Sequence, residues 1–148
     1  MPEKETLERA EQDKREGKAP STQAGEFVRE EIEHIREGKH GARSAKQAIA
    51  IGLSKARRAG VKLPAPEKGE APSDTRRQAK RDLRKGSKAG KSKTSTKRSR
   101  ASLRRLKREG SAAASKTALS RQARTAAARR SKASRSRSAK KAAATRKK

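Results

Sequence analysis

Phe27 is the only aromatic side chain in a chain of 148 residues, and this scarcity limits what the chain can fold into more than any other feature. Large apolar side chains offset the entropy of chain ordering, at about 1.5–3 kcal/mol for each one fully buried. Here 28% of residues are hydrophobic and 41% are charged, a balance typical of chains that stay largely unfolded. The expected fold class is therefore mostly disordered with α-helical segments: a two-helix hairpin near residues 21–63 plus an intrinsically disordered basic tail. Base stacking on a platform of Phe, Tyr or Trp, as RNA-recognition and single-strand modules use it, also lacks its residues.

The hairpin rests on periodicity. Ala24, Phe27, Val28, Ile32 and Ile35 recur at three- and four-residue steps and share one face of a helix. Gly38 is placed to end it. After the turn at residues 38–42, Ser44 can cap a second helix, with Gln47 three residues on completing a capping box. The second stripe, Ala45, Ala48, Ile49, Gly52, Leu53 and Ala56, contains small residues that allow a partner helix to come close. Ile51 lies off it. Gly60, Pro64 and Pro66 supply the stop. With so few large side chains the hairpin is marginal alone, which makes self-association or a partner an expectation.

Around the hairpin the chain divides by composition. Residues 1–20 form an acidic, charged leader that is at best a solvated, fraying helix, because Leu7 is the only large apolar side chain of residues 3–16. Residues 64–82 read as a linker and a short basic helix, which runs to Gly86, with Ser73 or Asp74 as its cap. Residues 83–148 read as a disordered Lys/Arg/Ala/Ser-rich tail of low complexity. Within it, the alanine-rich stretch Ala112–Arg130 is expected to be coil in solution, since like charges oppose the helix that alanine favours.

The net charge of +28 is concentrated. Residues 1–37 hold 11 acids against 7 Lys and Arg, residues 38–66 hold 7 basic groups and no acid, and residues 83–148 hold 25 basic groups against Glu109 alone. Duplex DNA carries one charge per ~1.7 Å, so the net charge of the tail matches roughly 40 Å of duplex. The candidate phosphate-binding residues begin with Arg84, Lys85, Lys88, Lys91, Lys93, Lys97, Arg98, Arg100, Arg104, Arg105, Lys107 and Arg108. They continue with Lys116, Arg121, Arg124, Arg129, Arg130, Lys132, Arg135, Arg137, Lys140, Lys141, Arg146, Lys147 and Lys148. Guanidinium forks and ammonium groups both suit phosphate, but a disordered segment offers no scaffold to hold Arg against a base edge, so no sequence specificity is expected. Lys46, Lys55, Arg57, Arg58 and Lys62 at the basic end of the hairpin are either a second phosphate patch or a solvated face.

Other chemistries find little support in the residues. There is no cysteine, hence no disulfide, thiolate metal site or thiol nucleophile. Residues 86–92 have three residues between Gly86 and Gly90-Lys91-Ser92 where a phosphate-binding loop needs four, and no strand precedes them. His34 and His40 read as solvated histidines, so no metal, no cofactor and no catalytic residue is expected, and the chain reads as a non-enzyme. No apolar run is long enough for a membrane span, and the acidic start is unlike a secretory signal. A cytoplasmic, nucleoid-associated location is the corresponding expectation.

The stretch from Glu26 to Pro64 resembles a group of small bacterial proteins of unassigned function. Their mark is a Lys-Gln-Ala-Ile-Ala-Ile-x-Leu-Ser-x-Ala-Arg segment after a Gly-rich turn, here Lys46 to Arg57. The resemblance implies a bacterial cytosolic protein and brings no activity with it. The tail resembles the C-terminal domain of linker histones in its Ala/Lys/Arg/Ser composition, with more Arg and less Pro. The function expected is non-sequence-specific, histone-like binding of DNA, favoured over RNA, through phosphate neutralisation. An RNA- or ribosome-associated protein and a protein-interaction hairpin localised by its tail are the alternatives.

Overall fold

A computed structural model of the chain describes residues 1–88 and 95–146. These residues form seven α-helices and one 3-10 turn: α1 (Lys4–Arg15), α2 (Pro20–Arg36), α3 (Ala45–Arg58), α4 (Ser73–Ser87), α5 (Thr96–Lys107), η1 (Ala112–Ala114), α6 (Lys116–Ala128) and α7 (Lys132–Arg146). The expectation of a mostly disordered chain is thus wrong, and the described residues beyond residue 83 are largely helical. The Ala112–Arg130 stretch, expected as coil, holds η1 and α6.

The predicted hairpin forms at its predicted place. Gly38 and Gly60 adopt φ of +74° and +101°, the left-handed conformation that closes a helix and is open to glycine at little cost. After each, the next residue's N–H turns back into the helix, Lys39 N to His34 O at 3.0 Å and Val61 N to Ala56 O at 3.1 Å. Ser44 caps α3, its Oγ accepting from Gln47 N at 3.2 Å. The return half of the capping box is displaced by one residue, because Gln47 Oε1 accepts from Arg43 N at 2.8 Å and not from Ser44 N. Capping therefore fixes the turn as well as the helix start.

Three helices cover the hairpin and supply what its thin core lacks. Helix α1 is solvated on most of its surface but is packed, not free: it buries Thr6, Ala10 and Asp13 and contacts α2, leaving Leu7 at its edge. Arg9 Nε lies 2.9 Å from Glu26 Oε2 across that seam. Phe27 is 1% exposed, in a cluster with Ala10, Ala24, Ala56 and Val61 that joins α1, α2 and α3. Helix α4 packs on α3 through Ala79 and Asp82. Its first residue is Ser73 and its N-cap is Pro72, so neither Ser73 nor Asp74 caps it as expected.

The second core cluster recruits the basic half. Ile32, Ile35, Ala42 and Ala48 pack with Ala113 and Ala114, and Leu119 of α6 closes over them. The turn at residues 38–42 is bonded to the end of α5: Gly41 N donates to Leu106 O at 2.9 Å and Ala42 N to Gly110 O at 3.1 Å. Arg36 Nε donates to Ala114 O at 3.0 Å. A Cβ on Gly41 would collide with the backbone of Glu109, and one on Gly86 with the carbonyl of Arg57. Glycine thus lets backbone pack on backbone where large side chains are missing. Helices α5, α6 and α7 bury no residue fully; alanine and arginine, both good helix formers, sustain them locally. Among the described residues no helix is long and apolar enough to cross a membrane.

Candidate nucleic-acid interface

The fold sorts the charges of the chain. In the first half, acids meet bases at close range: Glu31 Oε2 lies 2.6 Å from Lys55 Nζ, Asp13 Oδ1 2.7 Å from Lys18 Nζ, and Glu33 Oε1 3.0 Å from Arg29 Nε. In the second half the bases have no such partners. From Arg84 to Arg146 every described Lys and Arg side chain is exposed, and none forms an ion pair among the described residues. These are Arg84, Lys85, Lys88, Lys97, Arg98, Arg100, Arg104, Arg105, Lys107, Arg108, Lys116, Arg121, Arg124, Arg129, Arg130, Lys132, Arg135, Arg137, Lys140, Lys141 and Arg146. Lys91, Lys93, Lys147 and Lys148, and with them most of the Gly86–Ser92 segment, lie outside the described residues.

Helical structure changes what these cations can do. On a coil each is an independent charge, whereas a helix sets neighbours at a rise of about 1.5 Å per residue and holds them on defined faces. On α5, Arg98, Arg100, Arg104 and Arg105 project from a helix whose C-terminal end is pinned to the hairpin at Gly41. The α6 N-terminus is capped by Ser115 Oγ, which accepts from Ala118 N at 3.1 Å, beside Lys116. With Arg36, Ser111, Ala112 and Ala114, these two residues line a shallow hollow of about 360 Å³.

A larger groove of about 590 Å³ runs along α4, lined by Ser73, Arg76, Arg77, Lys80, Leu83 and Arg84. Of these, only Arg84 is among the residues read from sequence. The signal for the others was the Arg76-Arg77-x-x-Lys80-Arg81 spacing, which sits in a segment whose acids nearly balance its bases. Asp74 and Asp82 account for that balance differently. Asp74 pairs with Arg77, while Asp82 is buried on the opposite face, where its Oδ2 accepts from Ser54 Oγ at 2.6 Å and its Oδ1 from Gln78 Nε2 at 3.1 Å. The groove is left with Arg76, Lys80 and Arg84, and Arg76 Nε is buried there without a hydrogen-bond partner.

The patch at the end of the hairpin divides in two. Lys46 and Lys62 are exposed. Lys55 turns inward to Glu30 and Glu31, and Arg58 reaches Ser54 and the buried Asp82. Arg57 is buried, its Nε donating to Leu63 O at 3.1 Å and its Nη2 to Pro64 O at 3.2 Å; burial pulls its guanidinium below the ordinary value. Lys55 and Arg57 are thus engaged within the fold, while Arg58 stays exposed beside its partners.

His34 and His40 are not the solvated side chains expected. They are 13% and 9% exposed, with ring centroids 6.2 Å apart, beside Glu3 and Glu31.

Residues 6–68 match a family described as a family of unknown function (DUF6496), a stretch that spans α1 to α3 and ends short of α4. No curated protein and no solved structure matches the chain.

Proposed function

We propose that the protein binds the phosphate backbone of DNA without reading its sequence, as a nucleoid-associated, histone-like protein. The observation that carries this reading is the row of exposed cations from Arg84 to Arg146, unpaired among the described residues and facing Glu109 as the single acid. A cation that has no acid to leave breaks no ion pair when it meets a phosphate, and each phosphate neutralised releases condensed counterions. The linker-histone-like composition of the tail supports the same mode, now with basic helices, of which α5 and α6 meet the hairpin, in place of a free coil. The α4 groove supports it too, since its arginines and lysine sit on a helix braced by Asp82.

The chain has Phe27 alone among Phe, Tyr and Trp and so no aromatic stacking platform, and affinity without a base code is the expected consequence. Binding, rather than catalysis, is the work this arrangement suits.

Titrating the full chain against mixed-sequence duplex DNA over a range of NaCl tests the proposal. If about ten phosphates are engaged, log K falls against log salt with a slope near −9. Replacing Arg98, Arg100, Arg104 and Arg105 with Gln should flatten the slope by about one for each phosphate no longer engaged, alike for every sequence. Affinity that ignores salt, or that survives all four replacements unchanged, overturns it. Preference for RNA of equal length in direct competition would transfer the reading to an RNA-associated protein.

A further inference from the structure

We propose that Glu31, His34 and His40 form a binding site for a borderline divalent metal ion, with Zn2+ as the probe, that clasps α2 to the turn at residues 38–42. Oxygen or nitrogen donor atoms of the three residues all lie within 4.8 Å of one another. Glu31 and His34 stand three residues apart on one face of α2, and His40 returns to them from beyond Gly38.

The first reason is charge. Glu30 and Glu31 are 2% and 1% exposed, and the ammonium that reaches them both is Lys55, at 3.7 and 2.6 Å. One ammonium thus serves two buried carboxyl groups; Glu30 has a further donor in Glu3 N at 3.1 Å, and Glu31 is the one of the two beside which a further cation has ligands.

The second reason is geometry at the carboxylate. Lys55 Nζ approaches Glu31 Oε2 and His40 Nε2 approaches Oε1, at 3.1 Å, yet neither oxygen has an aligned hydrogen-bond donor. A carboxylate with both oxygens buried and neither met by a well-aligned donor has lone pairs to offer a bound cation.

The third reason is how the imidazoles are held. His40 Nδ1 lies 3.1 Å from Gly41 O, a contact that an N–H at that nitrogen makes favourable; in the neutral imidazole this puts the lone pair on Nε2, 3.1 Å from Glu31 Oε1, where one cation would take both donors. His34 Nε2 lies 2.9 Å from Glu3 Oε1 in the same manner. An oxygen acceptor on the far nitrogen is the usual outer support of a metal-bound histidine, and two imidazoles with one carboxylate are a known donor set for zinc with one position open. Lys39 also contacts Glu3, at 3.1 Å, and keeps that carboxylate charged and in place.

The clasp would act on the rest of the molecule through Gly41 and Ala42, whose N–H groups hold Leu106 O and Gly110 O. A metal at His40 therefore steadies the anchor of the basic helices.

Isothermal titration of Zn2+ into the full chain tests the site. The expected result is one ion per chain, with affinity reduced roughly 100-fold or more in His34→Gln and in His40→Gln, and about tenfold in Glu3→Gln. Mg2+, which suits all-oxygen sites, should not compete. Should the histidine variants fail to fold, X-ray absorption of the zinc-loaded natural chain decides, because His34 and His40 are its only histidines and it has no cysteine. Scattering from two imidazoles supports the site. A chain that takes up no zinc at micromolar concentration, histidine variants that bind as the natural chain does, or a shell without imidazole overturns it.

Discussion

Gly52 on α3 lies against Val28 on α2 so closely that a Cβ at Gly52 would stand 2.6 Å from the Val28 Cα and 3.0 Å from its N. The two helices meet backbone to side-chainless backbone, and this close approach sets the spacing of the whole hairpin. Gly52→Ala should gain up to about 1 kcal/mol of helix propensity and lose more to overpacking, about 1–3 kcal/mol. A net fall in stability in urea unfolding is the expected outcome; a stabilised variant would show that the helices can part at no cost.

Asp82 is the polar counterpart of that approach, between α3 and α4. It is 1% exposed, and it accepts from Ser54 and Gln78 with Arg58 at 3.7 Å. Asp82→Ala leaves Ser54 and Gln78 without their acceptor, which costs about 1–3 kcal/mol. Amide hydrogen exchange should show α4 losing protection first, with α2 and the start of α3 keeping theirs.

Gly41 holds the basic half to the hairpin. Gly41→Val forces a side chain into the Glu109 carbonyl and should open the stretch from Leu106 to Ala114 while leaving α1 to α3 folded. Limited proteolysis checks this: the variant should be cut between residues 100 and 115 faster than the natural chain. Cleavage that instead begins within α2 would place the weak point elsewhere.

Within the α4 groove, Arg76→Gln and Lys80→Gln should each weaken DNA binding alike across sequences and reduce the salt slope by about one, without changing thermal stability. Asp74→Asn, which frees Arg77, should strengthen binding. Fluorescence anisotropy with a labelled duplex at two salt concentrations reads both effects.

At the end of α1, hydrogen bonds from Lys18 and then from Gln12 hold the Glu16 carboxyl below its ordinary value of 4.5. A depressed carboxyl contributes stability above its unfolded value and loses it as pH falls through the lower folded value. The protection factors of the Gly17 and Lys18 amides, taken relative to the intrinsic exchange rate at each pH, should therefore fall on acidification below pH 4.5, and Glu16→Gln should remove that contribution from Glu16.

The periodic parts of the chain are legible in the sequence itself. Phe27, Ile32 and Ile35 at helical spacing, Ser44 with Gln47, and the glycines at 38 and 60 place α2 and α3 nearly as they stand. Helix α4 ends where its glycine suggests, but α1 escaped detection as a packed element. It docks through Thr6, Ala10 and Asp13, side chains that a search for large apolar residues passes over. The same search misjudged the region beyond residue 83, where Ala113 and Ala114 enter the core with almost no volume. Arg76 and Lys80 were hidden by Asp74 and Asp82, whose charges cancel in the sequence and separate in space. The histidines looked solvated because the residues between them say nothing of the turn that brings their rings together.

By itself the sequence determined the local structure and the charge: where helices start and stop, and that the second half carries bases almost without acids. Those are properties of neighbours along the chain, governed by propensity, capping and composition. The tertiary structure decided which charges are satisfied and which are free, and that the basic half is tied to the hairpin through α5, η1 and α6. Both depend on close approach between distant backbones at Gly41, Gly52 and Gly86. Glycine's contribution there is the absence of a side chain, and its worth depends on what comes to lie against it.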